Sequence, residues 1–418
     1  MKLLLENIGK IKHSEVEING ITVIAGENNT GKSTFGRALF AIFNSFYNVE
    51  EQIRSERVES VENLLDIFYR SPPSRISRSP DTNEIARTIV HRSGEYRNVS
   101  TDYIRNLLLQ YDESVDKRAG KNISLEELTN RMADVVNVSD SQLLTTIISK
   151  KLDAEFNGQP CNVFSDEKGE IKLTIRDQEI VVQLSDDTVV DLESSIDLHT
   201  EVVYIDDPFV IDDLRFFYRY GYMDHRLHLI SKMLTPNSKG SNIVDEIVTG
   251  HKFERIYEKI SSVCGGDIVR NKRTGMGYKK IDSEKTIDVR NLSTGLKTFI
   301  ILKLLFLNGA LEYNGTIVLD EPEIHLHPEW QLLFAELIVL LQQEFGMHIL
   351  LNTHSPYFLR AIQVYSEKHG VLDRCKFYLS EVRDEEAIIQ DVTDCVDKIY
   401  EKLSRPLQAL EDLRWENG

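Results

Sequence analysis

Hydrophobic residues in the first 46 positions follow two different spacings. Short apolar runs and alternation predict strands near 1–6, 15–18 and 21–25. Over 32–46 the apolar side chains recur at helical spacing. The pattern therefore predicts a strand, a glycine-containing loop and a helix around residues 26–33.

The middle of the chain changes character twice. Residues 47–159 are polar, are spaced as helices and contain a serine- and proline-rich loop. Short alternating strands are predicted over 160–192, and 202–205 is predicted to be a buried strand. Helical spacing returns over 209–263, without the sustained heptads of a long coiled coil.

The last third of the chain alternates between strands and helices. Apolar strands at 315–319 and 347–351 flank an amphipathic helix over 331–345, an order that is typical of a parallel α/β sheet. The whole pattern predicts an α/β protein with four parts. These are a composite head made of 1–46, 160–208 and 275–390, a mainly helical insertion at 47–159, a helical subdomain at 209–274 and a C-terminal helix at 391–418.

Composition narrows the class of protein. The 418 residues include 67 acidic and 49 basic side chains, and the net charge of −18 argues against a protein that coats nucleic acid by bulk electrostatics. The four cysteines form no CxxC pair, which fits a reducing compartment. No apolar run reaches the ~18 residues of a membrane helix, and the N-terminal run is too short for a signal peptide. We expect a cytoplasmic protein that contacts no membrane.

Residues 26–33, Gly-Glu-Asn-Asn-Thr-Gly-Lys-Ser, match the phosphate-binding pattern G-x-x-x-x-G-K-[ST]. Glycines let backbone N–H groups turn toward phosphate oxygens, Lys32 brings a positive charge to the β- and γ-phosphates, and Ser33 offers a hydroxyl to Mg²⁺. An ordinary glycine turn before a helix is the alternative, but the predicted strand and helix on either side favour ATP. The predicted nucleotide-binding residues are Gly26, Asn28, Asn29, Thr30, Gly31, Lys32, Ser33 and Thr34.

A second motif, at 318–322, is an apolar strand that ends in two carboxylates. Asp320 is placed to hold Mg²⁺ together with Ser33, and Glu321 is placed to polarise or deprotonate the attacking water. Acids at a strand end often only cap a helix. Their pairing with a phosphate loop favours the chemical role, in which Lys32 and Glu321 are both catalytic.

Two more short motifs complete the predicted site. Residues 291–297 place Ser293 and Gly295 just before an apolar helix, where small residues and N–H groups form an anion site. His354 follows the strand at 347–351 and is placed to sense a γ-phosphate, as a third catalytic residue. Seen alone, these residues would be a helix-capping serine and a strand-terminal histidine. Their order along the chain with the other two motifs favours a shared function.

In this order the motifs resemble those of ABC-type ATPases, and among these the SMC/RecF/OLD-like heads. Glu-Pro-Glu-Ile-His-Leu-His-Pro at 321–328 and Thr-His-Ser-Pro at 353–356 are especially similar to OLD and Septu anti-phage ATPases. The resemblance implies a P-loop NTPase fold: an ABC-type head with a mixed or parallel sheet and a largely helical insertion. It also implies ATP hydrolysis with Mg²⁺ in a homodimer or higher oligomer. ATP is then held between the phosphate loop of one copy and Ser293 and Gly295 of another.

The resemblance further implies that the ATPase controls a separately encoded effector, a nuclease, in phage defence. OLD nucleases carry a C-terminal Toprim domain, but 64 residues follow His354, too few for a domain of ~100 residues. A DNA-repair or chromosome-maintenance head that binds DNA directly is the alternative function. A transporter subunit is disfavoured by the long insertion after the first helix.

The residue that closes the site between the two lobes of such a head is ambiguous. The usual glutamine cannot be placed, because Gln178 and Gln183 lie in polar strands, and Asp206 occupies a suitable position instead. Asp206 is either a metal or water contact or a turn-capping acid. His325 and His327 are expected to shape the loop that crosses the subunit interface rather than to bind metal.

Other basic side chains also have two interpretations. The arginine-rich segment 70–97 contacts nucleic acid or an acidic partner, or it is a solvated loop. His13, in the predicted turn between the first strands, lies near the adenine or has a structural role. His225 and His228 lie three positions apart on a predicted helix and, without a third ligand, are expected on its solvated face.

Overall fold

The computed structural model describes residues 1–69, 81–94, 98–112, 115, 123–196, 198–214, 224–236, 254–271, 275–281, 283–383 and 386–416. The chain divides into two compact units. The first unit comprises Met1–Tyr47 and Ile148–Gly418, and the second comprises Asn48–Ile147.

All strands of the described residues belong to the first unit. They are β1 (Lys2–Ile8), β2 (Ile11–Glu17), β3 (Ile21–Gly26), β4 (Gly169–Ile175), β5 (Gln178–Ser185), β6 (Thr188–Ser194), β7 (Val202–Ile205), β8 (Gly266–Asn271), β9 (Gly275–Lys280), β10 (Thr286–Asp288), β11 (Thr316–Asp320), β12 (His348–Thr353), β13 (Cys375–Arg383) and β14 (Glu386–Asp391). An eleven-stranded sheet has the order β6-β5-β4-β1-β2-β14-β13-β3-β12-β11-β7, and a small sheet has the order β10-β9-β8.

The larger sheet has a parallel half and an antiparallel half. Strands β13, β3, β12, β11 and β7 run parallel to one another, whereas β2, β1, β4, β5 and β6 pair antiparallel. The parallel strands are covered on both faces, which is why β3, β7 and β11 are continuous apolar runs. Strands β4 and β5 instead alternate buried and half-buried positions. The mixed sheet with its helices confirms the predicted α/β fold class.

The described helices, in chain order, are α1 (Lys32–Phe46), α2 (Val49–Tyr69), α3 (Thr82–Ser93), α4 (Thr101–Tyr111), α5 (Leu125–Asn137), α6 (Asp140–Phe156), α7 (His225–Leu234), α8 (254–263), α9 (Thr294–Leu307), α10 (Pro328–Phe345), α11 (Pro356–Lys368) and α12 (Asp397–Glu416). Helices α9, α10 and α11 contribute most of their apolar side chains to the core of the first unit, together with one face of the parallel strands. Helix α10 connects β11 to β12, as the sequence pattern predicts.

The second unit has an apolar core of its own. Side chains of α2, α3, α4 and α5 form one buried cluster. Polar residues start three of these helices: Asp81, Ser100 and Ser124 accept hydrogen bonds from first-turn N–H groups of α3, α4 and α5. The polar residues at helical spacing that predict the insertion therefore belong to amphipathic helices with a small shared core.

Some elements differ from the sequence pattern. Strands β13 and β14 lie between β2 and β3 in the sheet, although the pattern singled out neither of them. The segment 209–274, predicted as helical, also contains β8. Helix α12 begins at Asp397 rather than near 391, because Asp391 ends β14 and accepts a hydrogen bond from the Thr393 N–H at 2.8 Å. In the part of the chain that is described, no helix is long and apolar enough to cross a membrane.

Candidate functional site

The predicted functional residues collect at one edge of the larger sheet. Strands β3, β12, β11 and β7 are parallel, so their carboxyl ends share that edge. The phosphate loop follows β3, Asp320 ends β11, His354 follows β12 and Asp206 follows β7. In α/β sheets, ligands bind at this edge because the loops that follow the strands converge there.

The loop between β3 and α1 has the backbone shape of a phosphate cradle. Asn29 and Gly31 adopt positive φ angles of 65° and 83°, a conformation that lets successive N–H groups face one concave side. Gly31 is the N-cap of α1, so the positive end of this helix faces the loop. The Thr30 hydroxyl donates to the Glu27 carbonyl at 2.9 Å, and the Thr30 carbonyl accepts from Ser380 Oγ at 2.6 Å. These bonds fix the loop from within and from β13.

Gly26 is required by the neighbouring strand as well as by the loop. Strand β13 pairs with β3 so closely that a Cβ atom on Gly26 would lie 2.2 Å from the carbonyl oxygen of Ser380. No side chain fits at that distance. The glycine that opens the phosphate motif therefore also permits the strand pairing beside it.

Lys32 is buried at the base of the loop, with 4% of its surface exposed. Its Nζ donates to the carbonyl oxygens of Gly26 at 3.1 Å and Glu27 at 2.7 Å. The same Nζ lies 3.4 Å from Glu321 Oε1. A buried ammonium needs such oxygen neighbours, and here they hold the charge between the phosphate loop and the acidic motif.

Asp320 is held by two neutral donors from neighbouring strands. Tyr204 of β7 donates its hydroxyl to Oδ2 at 2.9 Å, and the Asn352 side-chain amide of β12 donates to Oδ1 at 3.0 Å. Burial first, and then the Asp320 carboxylate, raise the pKa of Tyr204 well above its usual range, so the phenol remains a donor. Each oxygen of the carboxylate accepts one hydrogen bond and keeps capacity for a cation.

Glu321 faces both Lys32 and His354. Its φ angle is 49°, an uncommon left-handed value for a side chain with a Cβ, and its N–H donates to the Asn352 carbonyl at 2.9 Å. Oε1 lies 3.3 Å from His354 Nδ1. The imidazole of His354 and then the ammonium of Lys32 lower the pKa of Glu321, and Glu321 in turn raises the pKa of His354. The pair is therefore a carboxylate beside an imidazole that is readily protonated.

Glu323 lies in the protein interior, next to His354 of this pair. Its side chain is 2% exposed, and Oε1 accepts hydrogen bonds from the Thr353 hydroxyl and, at 3.4 Å, from the His354 N–H. His354 Nδ1 lies 4.0 Å from the same oxygen. Burial raises the pKa of Glu323. Glu323 thus joins the turn after β11 to the turn after β12.

A cleft of about 650 Å³ opens over these groups. It is lined by Asn28, Asn29, Thr30, Gly31, Lys32, Ser33 and Thr34 of the phosphate motif, by Asp206, Asp320 and Glu321, and by Arg37, Phe156 and Phe164 among others. The cleft therefore brings together residues 28–34 of the phosphate motif, the predicted metal ligand Asp320 and the predicted catalytic residue Glu321, and His354 lies beside Glu321. A volume of this size is typical of small-molecule sites.

Ser293 and Gly295 line a different pocket. This second pocket of about 460 Å³ is formed by Ser293, Thr294, Gly295, His325, His327 and Trp330, and it shares no lining residue with the cleft over the phosphate loop. Ser293 is the N-cap of α9, yet its side chain makes no capping hydrogen bond. A Cβ on Gly295 would lie 3.0 Å from the His325 carbonyl and 3.1 Å from the Trp330 ring, so only glycine lies there without displacing them.

Asp206 lies in the cleft but does not cap a turn. Its neighbour Asp207 is the capping acid, because Asp207 Oδ1 accepts from the Phe209 N–H at 2.8 Å. Asp206 Oδ2 instead lies 3.0 Å from His225 Nε2 and 3.0 Å from an Arg226 nitrogen. Burial alone would raise the pKa of Asp206, but these two cations outweigh it and lower that pKa to about 2.

The two histidines of α7 are not on a solvated face, so that prediction was wrong. His225 is 6% exposed and the His228 side chain is 12% exposed. Helical spacing shows that two residues share a face, but the elements that cover this face come from distant segments. Both rings pack on Phe40 of α1, at 6.1 and 5.3 Å between ring centroids.

Other predictions from single residues had different outcomes. His13 lies within β2 and pairs with Glu6 at 2.8 Å, whereas the turn residues Gly9 and Lys10 line the cleft. The side-chain amide of Gln183 in β5 donates a hydrogen bond to Glu170 at 3.4 Å.

Much of the arginine-rich segment 70–97 lies outside the described residues, which include only its helix α3. Within the described ranges, no group of three His, Cys, Asp or Glu side chains is arranged to hold a metal.

Sequence reasoning missed three residues that shape the site: Tyr204, Asn352 and Glu323. Tyr204 and Asn352 are polar positions near the carboxyl ends of buried apolar strands, and that position was the available signal. Glu323 lies inside the quoted Glu-Pro-Glu motif, but its burial and its bond to Thr353 are tertiary features. A linear pattern reports neither.

Residues 139–360, more than half of the chain, match the family model described as "AAA domain, putative AbiEii toxin, Type IV TA system". The chain belongs to this AAA-domain family. The matched range begins after the phosphate loop and contains Asp206, Ser293, Asp320, Glu321 and His354. Together with the relatives described next, this match confirms the predicted likeness to OLD-like ATPases of the AAA/ABC type.

Two curated relatives of this AAA-domain protein are similar over part of their length. "Retron Vc95 probable ATPase" of Vibrio cholerae is 31% identical over 147 residues, 32% of this chain and 28% of the relative. "OLD nuclease" of Thermus scotoductus is 22% identical over 189 residues, 35% of this chain and 35% of the relative. The matched part therefore spans well under half of either relative.

Solved structures that the chain is similar to include SMC heads. The SMC head domain from Thermotoga maritima has a TM-score of 0.38 at 12% identity, over 94% of this chain and 98% of that one. The Smc head domain from Pyrococcus furiosus, bound to the C-terminal domain of ScpA, has a TM-score of 0.40 at 12% identity, over 99% of this chain and 98% of that one.

Proposed function

We propose that this AAA-domain protein binds ATP with Mg²⁺ and hydrolyses it at the cleft over the phosphate loop. The observation that carries the proposal is the position of Glu321, whose Oε1 lies 3.4 Å from Lys32 and 3.3 Å from His354. An acid, a buried ammonium and an imidazole thus meet above a loop shaped for phosphates. The retron and OLD relatives support the same chemical class.

The residues of the three motifs have separate roles in this proposal. The N–H groups of 28–34 and the Lys32 ammonium bind the phosphate chain. Asp320 and Ser33 are the residues that would hold Mg²⁺, and the fixed carboxylate of Asp320, with spare lone pairs, fits a hard cation. When bound, the ion neutralises charge on the β- and γ-phosphates. His354, which lies beside Glu321, would contact the γ-phosphate.

Glu321 is the general base of the proposed reaction. Its lowered pKa keeps it ionised at neutral pH, and a carboxylate at this position accepts a proton from water as the water attacks the γ-phosphorus. The nearby imidazole and ammonium orient the carboxylate. Water and ATP become ADP and phosphate, and the proton leaves through Glu321.

ATP is further proposed to join two copies of the chain. Ser293 and Gly295 line a pocket that is separate from the cleft over the phosphate loop, and the Ser293 side chain does not cap its own helix. In this proposal, the Ser293 pocket of one copy binds the phosphates of an ATP molecule that the phosphate loop of another copy holds. The proposed assembly is a homodimer, or a higher oligomer, with ATP between the heads.

The proposed biological role is control of a separately encoded effector, a nuclease, in anti-phage defence. The names of the retron ATPase and OLD nuclease relatives support a link between an ATPase and a nuclease. In phage-challenged cells, the gene with its native flanking genes should lower plaque counts, and the same DNA with Lys32→Ala should not. Equal protection by the two versions would contradict ATP-dependent control.

Nucleotide binding and hydrolysis are tested on the purified chain. Lys32→Ala should weaken ATP binding and lower hydrolysis by about 100-fold, because it removes the charge next to the phosphates. Lys2→Ala, an exposed lysine of β1, is the matched control and should behave as wild type. Wild-type protein that binds no ATP by calorimetry would refute the proposal.

Salt-sensitive DNA binding that Arg75→Ala and Arg78→Ala abolish would instead favour the DNA-repair alternative.

A further inference from the structure

The phenol that holds Asp320 is packed against His225 and against helix α1. Tyr204 is 1% exposed, and its ring stacks on the His225 ring with centroids 4.4 Å apart and planes at 25°. On another side, α1 approaches so closely that a Cβ on Gly36 would lie 3.2 Å from the Tyr204 hydroxyl oxygen. The hydroxyl is therefore directed at Asp320 by its packing as well as by its hydrogen bond.

His225 is itself held between two carboxylates from distant segments. Glu155, near the end of α6, lies with Oε2 2.7 Å from His225 Nδ1 and accepts the His225 backbone N–H through Oε1 at 2.5 Å. Asp206 Oδ2 lies 3.0 Å from the other ring nitrogen. Glu155 holds Nδ1 through a hydrogen bond, and Asp206 faces Nε2 at ion-pair distance without a hydrogen bond, so each ring nitrogen has an anionic neighbour.

The charges of this cluster compensate one another, with the Arg226 side chain 52% exposed at its outer side. Burial alone would lower the pKa of His225, but Asp206 and Glu155 outweigh it and raise that pKa to about 9. Arg226 supplies the second positive charge next to Asp206. Two carboxylates, an imidazolium and a guanidinium therefore form a neutral set beside the cleft. A buried charge that is paired on each side resists displacement more than a single hydrogen bond does.

We propose that His225, held by Glu155 and Asp206, is a positioning residue for the metal site: its ring orients Tyr204, and the Tyr204 hydroxyl fixes Asp320. The proposal rests on the proposed function, since Asp320 is taken as the Mg²⁺ ligand there. His225 touches neither phosphate nor metal in this scheme. Its effect is on how well Asp320 is preorganised, which sets how much Mg²⁺ strengthens nucleotide binding.

The test measures the affinity of a fluorescent ATP analogue with Mg²⁺ and with EDTA, on the full chain. The ratio of the two affinities is the metal-dependent gain. His225→Gln and Tyr204→Phe should each lower this gain about tenfold, while affinity in EDTA stays at the wild-type value. Mn²⁺ binding, followed by its electron paramagnetic resonance signal in the presence of the analogue, should weaken in parallel.

His228→Gln is the matched control. His228 lies on the same helix, packs on the same Phe40 ring and is 3.7 Å from Glu201, so its loss has a similar cost in packing. It should leave the metal-dependent gain unchanged. An equal loss of the metal-dependent gain in His225→Gln and His228→Gln would overturn the proposal. A metal-dependent gain at the wild-type value in Tyr204→Phe would overturn it too. Tyr204→Phe keeps the ring, so this second test stands even if His225→Gln does not fold. If the wild-type chain binds no analogue, the proposed function fails instead.

Discussion

The Oε1 atom of Glu321 lies 3.3 Å from the Nδ1 atom of His354, although the two residues belong to turns that follow different strands. Strand β12 pairs with β11 in parallel register, Asp320 opposite Asn352, so the turn after each strand faces the other. The left-handed backbone of Glu321 brings its carboxylate toward the cleft. This contact is where the phosphate loop, the acidic motif and the histidine motif become one site.

Glu321→Gln should separate binding from chemistry. The amide keeps the shape of the side chain but cannot accept a proton, so ATP hydrolysis should fall by about 100-fold or more while ATP affinity is retained. Phosphate release and calorimetric titration measure the two quantities. A variant that loses affinity and turnover together would mean that Glu321 serves binding rather than proton transfer.

Glu323 should act through hydrogen bonding rather than through charge. Glu323→Gln retains an acceptor oxygen for Thr353 and for the His354 N–H, so we expect near wild-type turnover. Glu323→Ala leaves both donors unpaired and should cost about 2 kcal/mol of stability, with a lower kcat and a similar KM. Steady-state kinetics and thermal unfolding distinguish the two variants. Equal damage by both would mean that the carboxyl group of Glu323, and not only an acceptor oxygen, is required.

Gly26→Ala should destabilise the fold as well as the phosphate loop. Its new Cβ would lie 2.2 Å from the Ser380 carbonyl oxygen, which belongs to a paired strand and cannot move aside. We expect a loss of at least about 2 kcal/mol in the free energy of unfolding. Gly265→Ala is the control, because nothing lies within 4 Å of its Cβ. Denaturant titration of both variants measures the difference, and equal stability would contradict the close pairing of β3 and β13.

The His225 cluster makes stability depend on pH in the alkaline range. The pKa of His225 is raised to about 9, so the stability it contributes is fully present below its unfolded pKa and is lost as the pH rises through 9. The difference in unfolding free energy between wild type and His225→Gln should therefore shrink by about 2–3 kcal/mol between pH 6 and pH 10. Thermal melts across this range measure it. A constant difference would mean that His225 is neutral in the folded protein.

The sequence predicted the parts of the site that are local. Residues 26–33 form one loop because consecutive positions determine a turn and a helix start, and Asp320 lies at a strand end because the apolar run before it is continuous. The fold class followed from the same periodicity. These features depend on neighbours in the chain, and the structure has them at the predicted positions.

The rest of the site depends on contacts between distant segments. Tyr204 meets Asp320 because β7 pairs with β11, and His225 is buried by Glu155 and Asp206, which no spacing rule connects to α7. Strands β13 and β14 were missed although β13 supplies Ser380 against the phosphate loop. Periodicity gives the face of an element, but tertiary packing decides what covers that face.

Mixing two inactive variants tests the central claim, that one ATP site is shared by two copies of the chain. Lys32→Ala keeps the Ser293 pocket, and Ser293→Arg keeps the phosphate loop. If the site is shared, an equimolar mixture should recover about a quarter of the wild-type ATPase rate, because half of random pairs are mixed and each mixed pair has one intact site. If the mixture stays as inactive as either variant alone, although both variants are folded, then ATP is not held between two copies.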